Sequence, residues 1–241
     1  MSTDTRSTPS RQHVWQMFDR IAHRYDFLNH TLSLGIDYHW RRQLAEKLPA
    51  QADLKLLDLA TGTADVLIEL CQHNPGIQSA LGLDLSEQML AKGRDKIQAL
   101  PIKNRAELKL GDACQIPLEK GTYDVITMAF GIRNVLDVDL CMREMMRVLA
   151  PGGRVLILEF SLPPQALMRQ SYLLYLRHIL PQIGGLISGD GAAYRYLNQT
   201  IETFPCGQDF CDHLIAAGFK SVGYTPLSLG IASIYQGDKP F

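Results

Sequence analysis

The sequence predicts an α/β protein built on a Rossmann-like, doubly wound and mostly parallel sheet. Between residues 55 and 160, five apolar runs of strand length alternate with helical patterns, which is typical of βαβ units joined by right-handed crossovers. Two of these runs end near an acid, at Asp58 and Asp84, and a turn of small residues follows the first. Because ligands bind outside the carboxyl ends of strands in such sheets, the sequence predicts an adenosine site at these acids.

The residue pattern predicts each element in turn. Strands are expected over residues 55–59, 80–84, 106–110, 123–130 and 154–160. Helices are expected over residues 64–73, from a Ser86 cap to about 99, and over 137–149 and 208–217. The run Ala-Pro-Gly-Gly at 150–153 predicts a turn. Residues 220–227 and 230–236 predict an antiparallel C-terminal hairpin. The hairpin completes a seven-stranded sheet with helices on both faces.

The segments outside this alternation are predicted to be parts of one domain, residues 14–241. Residues 1–13 are polar and predict a disordered tail. Residues 14–48 carry apolar side chains at three- and four-residue steps, with one break near Gly35, and predict an N-terminal helical lid. Residues 162–204 show no clean strand. We interpret them as a cap insertion over the carboxyl edge of the sheet.

The bulk composition excludes several classes of function. The chain has 241 residues, 46% hydrophobic and 20% charged, which fits one globular domain. Its net charge of −1 gives no electrostatic case for nucleic-acid binding. Five scattered cysteines without a CxxC pair indicate reduced thiols in the cytoplasm, and the histidines lack metal-ligand spacing, so no metal is expected. Pro181 and two basic residues interrupt the longest apolar stretch, which excludes a membrane-spanning helix.

The turn after the first strand favours S-adenosylmethionine (SAM) over a dinucleotide. A pyrophosphate requires close backbone approach, which the glycines of a G-x-G-x-x-G turn provide. This turn has only Gly62, with Ala60 and Ala64 at the flanking positions. A cofactor without phosphates does not require that approach, although other nucleotide cofactors stay open.

The polar residues around this turn suit the parts of SAM. Asp58 is expected to face the ammonium of the methionine moiety, and Thr63 to contact the same end. Asp84 is expected to hold the ribose hydroxyls, with Leu85 beside it in the cofactor site. The alternative is that Asp58 and Asp65 are only helix-capping acids of a βα unit.

A further short motif follows the third strand. Asp112 can accept a hydrogen bond from the exocyclic amine of adenine, and Ala113 leaves room for the ring. Residues 123–126 then open the fourth strand. The four pieces in this order predict a SAM site more specifically than any one of them.

Several longer stretches carry a resemblance to a known family. They are residues 18–26 (Phe-Asp-Arg-Ile-Ala-His-Arg-Tyr-Asp), 33–36, 58–63, 130–135 (Phe-Gly-Ile-Arg-Asn-Val), 147–153, 158–161 and 194–197 (Tyr-Arg-Tyr-Leu). On these stretches the chain resembles the class I SAM-dependent methyltransferases. It most closely resembles the ubiquinone/menaquinone biosynthesis C-methyltransferases of the demethylmenaquinone methyltransferase type. The likeness covers nearly everything after Trp15.

The resemblance implies the class I methyltransferase fold and the methylation of a ring carbon of a polyprenylated quinol. It favours demethylmenaquinol, giving menaquinol. The alternatives are a 2-methoxy-6-polyprenyl-1,4-benzoquinol of the ubiquinone route, another small-molecule acceptor, or a non-catalytic SAM-binding subunit of a quinone-synthesis complex. A homodimer and a peripheral position at the inner face of the membrane are also compatible with the family.

The resemblance also assigns catalytic residues. Arg133 is expected to stabilise the phenolate of the acceptor or to orient a water that takes its proton, because a guanidinium is a poor base. Asn134 is expected to orient the same hydroxyl, and Tyr25 to close the site. The alternatives are a surface ion pair between Arg133 and Asp137, and a core position for Tyr25.

The predicted cap supplies the remaining candidates. Tyr194 and Arg195 are expected to meet the quinol head, unless Arg195 only pins the cap to the domain. Residues 172–187 form a wide apolar surface, which is either buried packing or a surface for the prenyl tail or the bilayer. The chain departs from the family at Ala129, a cofactor position where serine is common, and at Ala64, where glycine is usual.

Overall fold

A computed structural model describes residues 14–24, 33, 35–182 and 191–241. Seven strands form one sheet in the order β3-β2-β1-β4-β5-β7-β6. The strands are β1 Leu54–Leu59, β2 Ile77–Asp84, β3 Ala106–Leu110, β4 Tyr123–Ala129, β5 Leu149–Phe160, β6 Lys220–Leu227 and β7 Ala232–Asp238. Strands β1 to β5 pair in parallel, and β7 runs antiparallel to both β5 and β6.

Helices cover both faces of the sheet. They are α1 Val14–Ile21, α2 Ile36–Ala45, α3 Asp65–His73, α4 Glu87–Gln98, α5 Val138–Val148, α6 Ala166–Leu174, α7 Gly191–Thr203 and α8 Gln208–Ala216. Two helix caps are present: the Ser86 side chain accepts from the N–H of Met89, as predicted, and the Asp137 side chain accepts from that of Leu140.

The core divides into two layers because the side chains of a strand alternate between faces. On β1, Leu56 packs with Trp40 and Leu44 of α2 and with Leu67 of α3. Leu57 points to the other layer, which includes side chains of α5 and α8. Both faces of the sheet are therefore buried, which accounts for the nearly continuous apolar runs of the parallel strands.

The structure confirms the doubly wound sheet with its antiparallel hairpin, but it corrects the turn predicted at residues 150–153. Strand β5 already begins at Leu149 and runs through this stretch. Gly152 has φ +77°, and the register between β4 and β5 shifts between Tyr123 and Val125. The Pro-Gly-Gly sequence therefore makes an irregularity within a strand and does not end it.

Two strand boundaries also differ from the prediction. Phe130 was expected to end the fourth strand, but β4 ends at Ala129 and Phe130 has φ +55°. The last strand was expected from Gly230, which instead lies in the short 3-10 turn Ser228–Gly230. In both places a residue with positive φ interrupts the extended backbone. Phe130 does so after β4, and Gly230, with φ +93°, does so before β7.

The predicted lid and the predicted cap both contain helices. The lid contains α1 and α2, and the predicted tail of residues 1–13 lies outside the described residues. The cap contains α6, the π-helical turn Tyr175–Ile179 and α7. None of the helices in the described ranges is long and apolar enough to cross a membrane.

Candidate functional site

A cavity of about 530 Å³ opens at the carboxyl ends of β1, β2 and β4. It lies where the strand order reverses between β1 and β4, the position at which open α/β sheets bind ligands. Six of the eight predicted cofactor residues line it: Gly62, Asp84, Leu85, Asp112, Ala113 and Ala129. The sequence therefore located the cavity, and the two remaining residues, Asp58 and Thr63, lie outside its lining.

Asp84 is held at the cavity wall by backbone donors. Its Oδ2 accepts from the N–H of Gly62 at 2.8 Å, and its Oδ1 accepts from the N–H of Ser86 at 2.9 Å. Burial raises the pKa of this carboxyl, and the backbone donors partly oppose the rise. A carboxylate has about four lone-pair positions, so Asp84 keeps acceptor capacity for a diol in the cavity.

The backbone of the first turn is left-handed at three positions. Ala60, Gly62 and Ala64 have φ values of +50°, +56° and +66°. Alanine in this conformation costs about 1 kcal/mol relative to glycine, so the Ala64 departure noted in the sequence is a site of real strain. A Cβ added to Gly131 would lie 2.6 Å from the Cβ of Ala60. The loops after β1 and β4 therefore approach each other closely at the cavity.

Asp58 faces the protein interior and does not line the cavity. Its side chain is buried and accepts from the hydroxyls of Thr61 and Thr127, each at 2.6 Å. It caps no helix by these bonds, so the helix-cap alternative for Asp58 is wrong. Desolvation by burial raises its pKa to about 6, although both threonine hydrogen bonds lower it.

The buried charge of Asp58 predicts a pH-dependent stability. The folded-state pKa of about 6 exceeds the ordinary value of 3.8. The ionised group therefore costs stability fully above pH 6, and the cost disappears as the pH falls toward 3.8. We expect Asp58→Asn to unfold with about 3 kcal/mol more free energy than wild type at pH 8, and with no such gain at pH 4. A denaturant-unfolding difference that stays constant between pH 4 and 8 would contradict this.

Lys96 of α4 contacts both Thr63 and Asp65. Lys96 donates from Nζ to the Thr63 hydroxyl at 3.0 Å and to Asp65 at 2.6 Å. Arg41 of α2 lies 3.1 Å from the other carboxylate oxygen of Asp65. These contacts tie the start of α3 to α2 and α4. The expected contact between Thr63 and the methionine end of SAM remains a prediction.

Helix α1 covers the cavity. Val14, Trp15 and Phe18 contribute to the cavity lining. Asp19, on the same helix, accepts a short hydrogen bond from the hydroxyl of Ser86. The backbone N–H of Ser86 in turn donates to Asp84. The hydrogen bond between Asp19 and Ser86 therefore attaches α1 directly beside Asp84, the carboxylate predicted to hold the ribose. We call this hydrogen bond the fastening of α1.

Removing this fastening should weaken SAM binding. We expect Asp19→Ala to raise the Kd for SAM about fivefold, roughly the value of one net hydrogen bond. The loss should appear as faster dissociation, with an unchanged single-turnover rate at saturating SAM. Asp19→Asn keeps an acceptor for Ser86 and serves as the matched control. Equal SAM dissociation rates for Asp19→Ala and wild type, in stopped-flow displacement, would contradict the role of the fastening.

Arg133 and Asn134 follow the carboxyl end of β4 in the 3-10 turn Ile132–Asn134. Asn134 lines the cavity, and Arg133 is buried beside it, 5% exposed. Nη1 of Arg133 lies 2.5 Å from Oε1 of Glu159. The alternative of an Arg133–Asp137 surface pair is wrong, because Asp137 instead caps α5.

Comparison with known proteins places this chain in a family. The family model described as the ubiE/COQ5 methyltransferase family matches residues 5–239. The chain belongs to the ubiE/COQ5 methyltransferase family. Methyl transfer from SAM is the activity that this membership implies for the chain.

Two relatives of this methyltransferase show how far the sequence similarity extends. One is the ubiquinone/menaquinone biosynthesis C-methyltransferase UbiE of Geobacter sulfurreducens. It is 41% identical over 234 residues, which cover 97% of this chain and 91% of the relative. The other is the demethylmenaquinone methyltransferase of Thermus thermophilus. It is 42% identical over 224 residues, which cover 93% of this chain and 100% of the relative.

Solved structures share the fold at low sequence identity. A SAM-dependent methyltransferase of Thermotoga maritima superposes with a TM-score of 0.65 at 19% identity, over 94% of this chain and 100% of that chain. The [4+2]-cyclase SpnF superposes with a TM-score of 0.63 at 15% identity, over 97% and 98%. The fold of a ubiE/COQ5 methyltransferase thus accommodates different reactions, and the reaction has to be argued from the site.

Two residues of this methyltransferase site were missed in the sequence. Glu159 pairs with Arg133, and its only sequence signal was an acid inside the apolar run of residues 154–160. Tyr196 donates from its hydroxyl to Oδ1 of Asn134 at 3.2 Å. Tyr196 lies between residues already singled out in the 194–197 motif, but no periodicity distinguished it from Tyr194.

The three remaining candidates, in the predicted lid and cap, have no described contact with the cavity. Tyr25 lies outside the described residues. Tyr194 belongs to α7, but its side chain is outside the described part of the structure. Arg195 is exposed. Their roles remain predictions.

The apolar surface of the cap is partly buried and partly open. Leu176 and Leu180 pack in a cluster with Tyr172 and Ile201, so buried packing accounts for them. On α6 and the following turn, Leu167, Leu174 and Ile179 are exposed. The basic residues nearby are engaged within the chain: Arg169 donates to the carbonyls of Pro163 and Pro164, and Arg177 pairs with Glu202. These arginine contacts give no support to binding of anionic head groups, and membrane contact and a homodimer remain predictions.

Proposed function

We propose that this chain is a SAM-dependent C-methyltransferase of quinone biosynthesis that converts demethylmenaquinol to menaquinol. Relatives bearing the name demethylmenaquinone methyltransferase match it at 36–42% identity over at least 93% of its length. The observation that carries the chemistry is the position of Asn134 on the cavity wall with the buried Arg133–Glu159 pair beside it. The site thus combines an amide and a guanidinium next to the predicted cofactor cavity.

The residues around the cavity fit SAM. Asp84, oriented by two backbone N–H groups, would accept from the ribose hydroxyls. Asp112, held by the N–H of Cys114 at 2.8 Å, would accept from the adenine amine, with Leu85 and Ala113 beside the ring. Gly62 and Ala129 would face the methionine end. Bound SAM supplies an electrophilic methyl group on a sulfonium sulfur.

The chain's own task is to prepare the acceptor carbon. Loss of the proton from a ring hydroxyl makes the neighbouring ring carbon electron-rich, so the site has to stabilise the resulting phenolate. Arg133 can supply positive charge and orient the water that takes the proton. Asn134, fixed by the Phe130 carbonyl at 3.3 Å and by Tyr196, can orient the hydroxyl. We also propose Tyr25, Tyr194 and Arg195 as contacts of the quinol head.

A direct assay tests this proposal. Purified protein is incubated with methyl-labelled SAM and, separately, with chemically reduced demethylmenaquinone and reduced 2-methoxy-6-polyprenyl-1,4-benzoquinone, and the products are identified by mass spectrometry. We expect label on the ring carbon of the naphthoquinol. Label on the benzoquinol alone would move the function to the ubiquinone route. Failure to methylate either quinol, with SAM binding intact by calorimetry, would overturn the proposal and favour a non-catalytic SAM-binding subunit.

The contact between the cap and Asn134 gives a smaller test of the same site. We expect Tyr196→Phe to lower kcat about fivefold with unchanged SAM affinity, because the amide of Asn134 loses one fixed partner. Tyr224→Phe removes a hydroxyl on β6, on a residue that stacks on Tyr235, and is the matched control. A kcat for Tyr196→Phe equal to that of the control would show that the hydrogen bond does not position Asn134 for catalysis.

A further inference from the structure

Glu159 carries a buried carboxylate among the apolar residues of a strand. It lies near the end of β5, is 1% exposed and stands between Leu158 and Phe160. A buried ion pair contributes little stability compared with apolar side chains of similar volume. The presence of this carboxylate in the strand therefore calls for a reason other than folding.

The carboxylate holds both the side chain and the backbone of Arg133. Its Oε1 accepts from Nη1 of Arg133 at 2.5 Å and from the N–H of Phe160 at 2.8 Å. Its Oε2 accepts from the backbone N–H of Arg133 at 3.4 Å. The 3-10 turn that carries Arg133 and the cavity residue Asn134 is thereby fixed to β5.

Two further contacts fix the guanidinium. Nη1 also donates to the carbonyl of Phe130 at 2.7 Å, and Cζ lies 5.2 Å from the centre of the Phe160 ring. Nε is buried and has no hydrogen-bond partner among the described residues. Asn134, the next residue along the chain, lines the cavity, and a buried N–H without a partner is available to an oxygen or a water.

We infer that Glu159 is a positioning residue for methyl transfer: its ionised carboxylate holds the guanidinium of Arg133 in the orientation that stabilises charge on the acceptor oxygen. The inference rests on the proposed function, because it concerns the same transfer step. Glu159 itself reaches the reaction only through Arg133.

The surroundings of Glu159 determine how this role depends on pH. Burial raises its pKa, and Arg133 partly opposes the rise. Among the described residues, the phenols of Tyr172 on α6 and Tyr235 on β7 also interact with the charge of Glu159. Burial raises the pKa of both phenols, so they stay neutral at and below pH 8. Protonation of Glu159 at acid pH removes the charge that holds Arg133. Turnover should therefore fall on the acid side.

The test compares pH profiles of kcat at saturating SAM and quinol. Glu159→Gln preserves the volume and one acceptor but stays neutral, and it should mimic protonated Glu159. We expect its kcat to be about tenfold below wild type at pH 8 and to lack the acid-side fall that Glu159 contributes. Glu159→Asp should retain that fall. A kcat for Glu159→Gln equal to wild type across the pH range, or a loss that is uniform across it, would overturn the inference.

A double-mutant cycle identifies the route of the effect. If Glu159 acts through Arg133, then Arg133→Met combined with Glu159→Gln should lose no more activity than Arg133→Met alone. If the activity loss of the double variant equals the product of the two single losses, Glu159 acts independently of Arg133 and the inference is overturned. Should Glu159→Gln fail to fold, Arg133→Met combined with Glu159→Leu replaces the pair by apolar side chains. It should match Arg133→Met in kcat, and a further fall below that value would likewise overturn the inference.

A spectroscopic readout separates this inference from the proposed function. In SAM-loaded protein, the NMR signal of the Arg133 Nε–H should shift as Glu159 titrates, and should not shift in Glu159→Gln. If no quinol is methylated, the proposed function fails. The coupling between the charge of Glu159 and the guanidinium of Arg133 is tested independently by this NMR signal. An Nε–H signal that ignores pH in wild type would overturn the coupling even in an active enzyme.

Discussion

Replacing Asp84 by alanine should abolish useful SAM binding while leaving the fold intact. The carboxylate can accept from both hydroxyls of a ribose, and hydrogen bonds to a charged group contribute about 1.5–3 kcal/mol each. Loss of both should raise the Kd for SAM roughly a thousandfold, or about 4 kcal/mol. The backbone N–H groups of Gly62 and Ser86, which lose their acceptor, lie near the cavity and can bind water instead.

Calorimetric titration with SAM measures this effect. Asp84→Asn keeps the side-chain volume and one acceptor and should fall between wild type and Asp84→Ala. Asp95→Ala removes an exposed carboxylate of α4 and serves as the matched control. A Kd for Asp84→Ala within tenfold of that control would refute the assignment of Asp84 to the ribose.

Replacing Arg133 by methionine should have the opposite signature, a loss of turnover with retained SAM binding. Removal of one preorganised group that stabilises developing negative charge lowers kcat roughly 100- to 1000-fold. Arg133 is absent from the cavity lining that holds the predicted cofactor residues, so the SAM Kd should stay within twofold. The variant also leaves Glu159 unpaired, and its free energy of unfolding should fall by about 3 kcal/mol.

The assay separates a chemical role from a structural one. Single-turnover rates are measured under conditions where denaturation curves show the variant to be folded. Arg133→Lys keeps the charge but not the planar fork, and it should recover only part of the activity. Arg143→Met, on an exposed side chain of α5, is the control. Full turnover by Arg133→Met would leave Arg133 as a structural partner of Glu159.

The fold was largely predictable because its signals are local. Apolar runs of strand length, the Ser86 cap, and the alternation of strand and helix all depend on neighbouring residues. The error at residues 150–153 has the same origin. Proline and glycine predict a turn locally, but the flanking residues Leu149 and Arg154 both pair with β4, so the stretch between them is an irregularity within one strand.

The site was predictable only in part, because its contacts join distant positions. Asp84 could be identified since it ends a strand beside a small-residue turn. The partner of Arg133 could not, because Glu159 is 26 residues away and reaches it through the pairing of β4 with β5. The hydroxyl partner of Asp58 on the neighbouring strand, Thr127, was missed for the same reason.

The cover formed by α1 has a consequence for the timing of catalysis. Each turnover converts one bound SAM to S-adenosylhomocysteine, which has to leave before the next cycle. Trp15 and Phe18 lie on the cavity, and Asp19 anchors their helix beside the ribose carboxylate. We therefore expect α1 to move away from the cavity once per cycle, so that the spent nucleoside can leave. Because S-adenosylhomocysteine would occupy the same cavity as SAM, we expect its accumulation to inhibit the enzyme in competition with SAM.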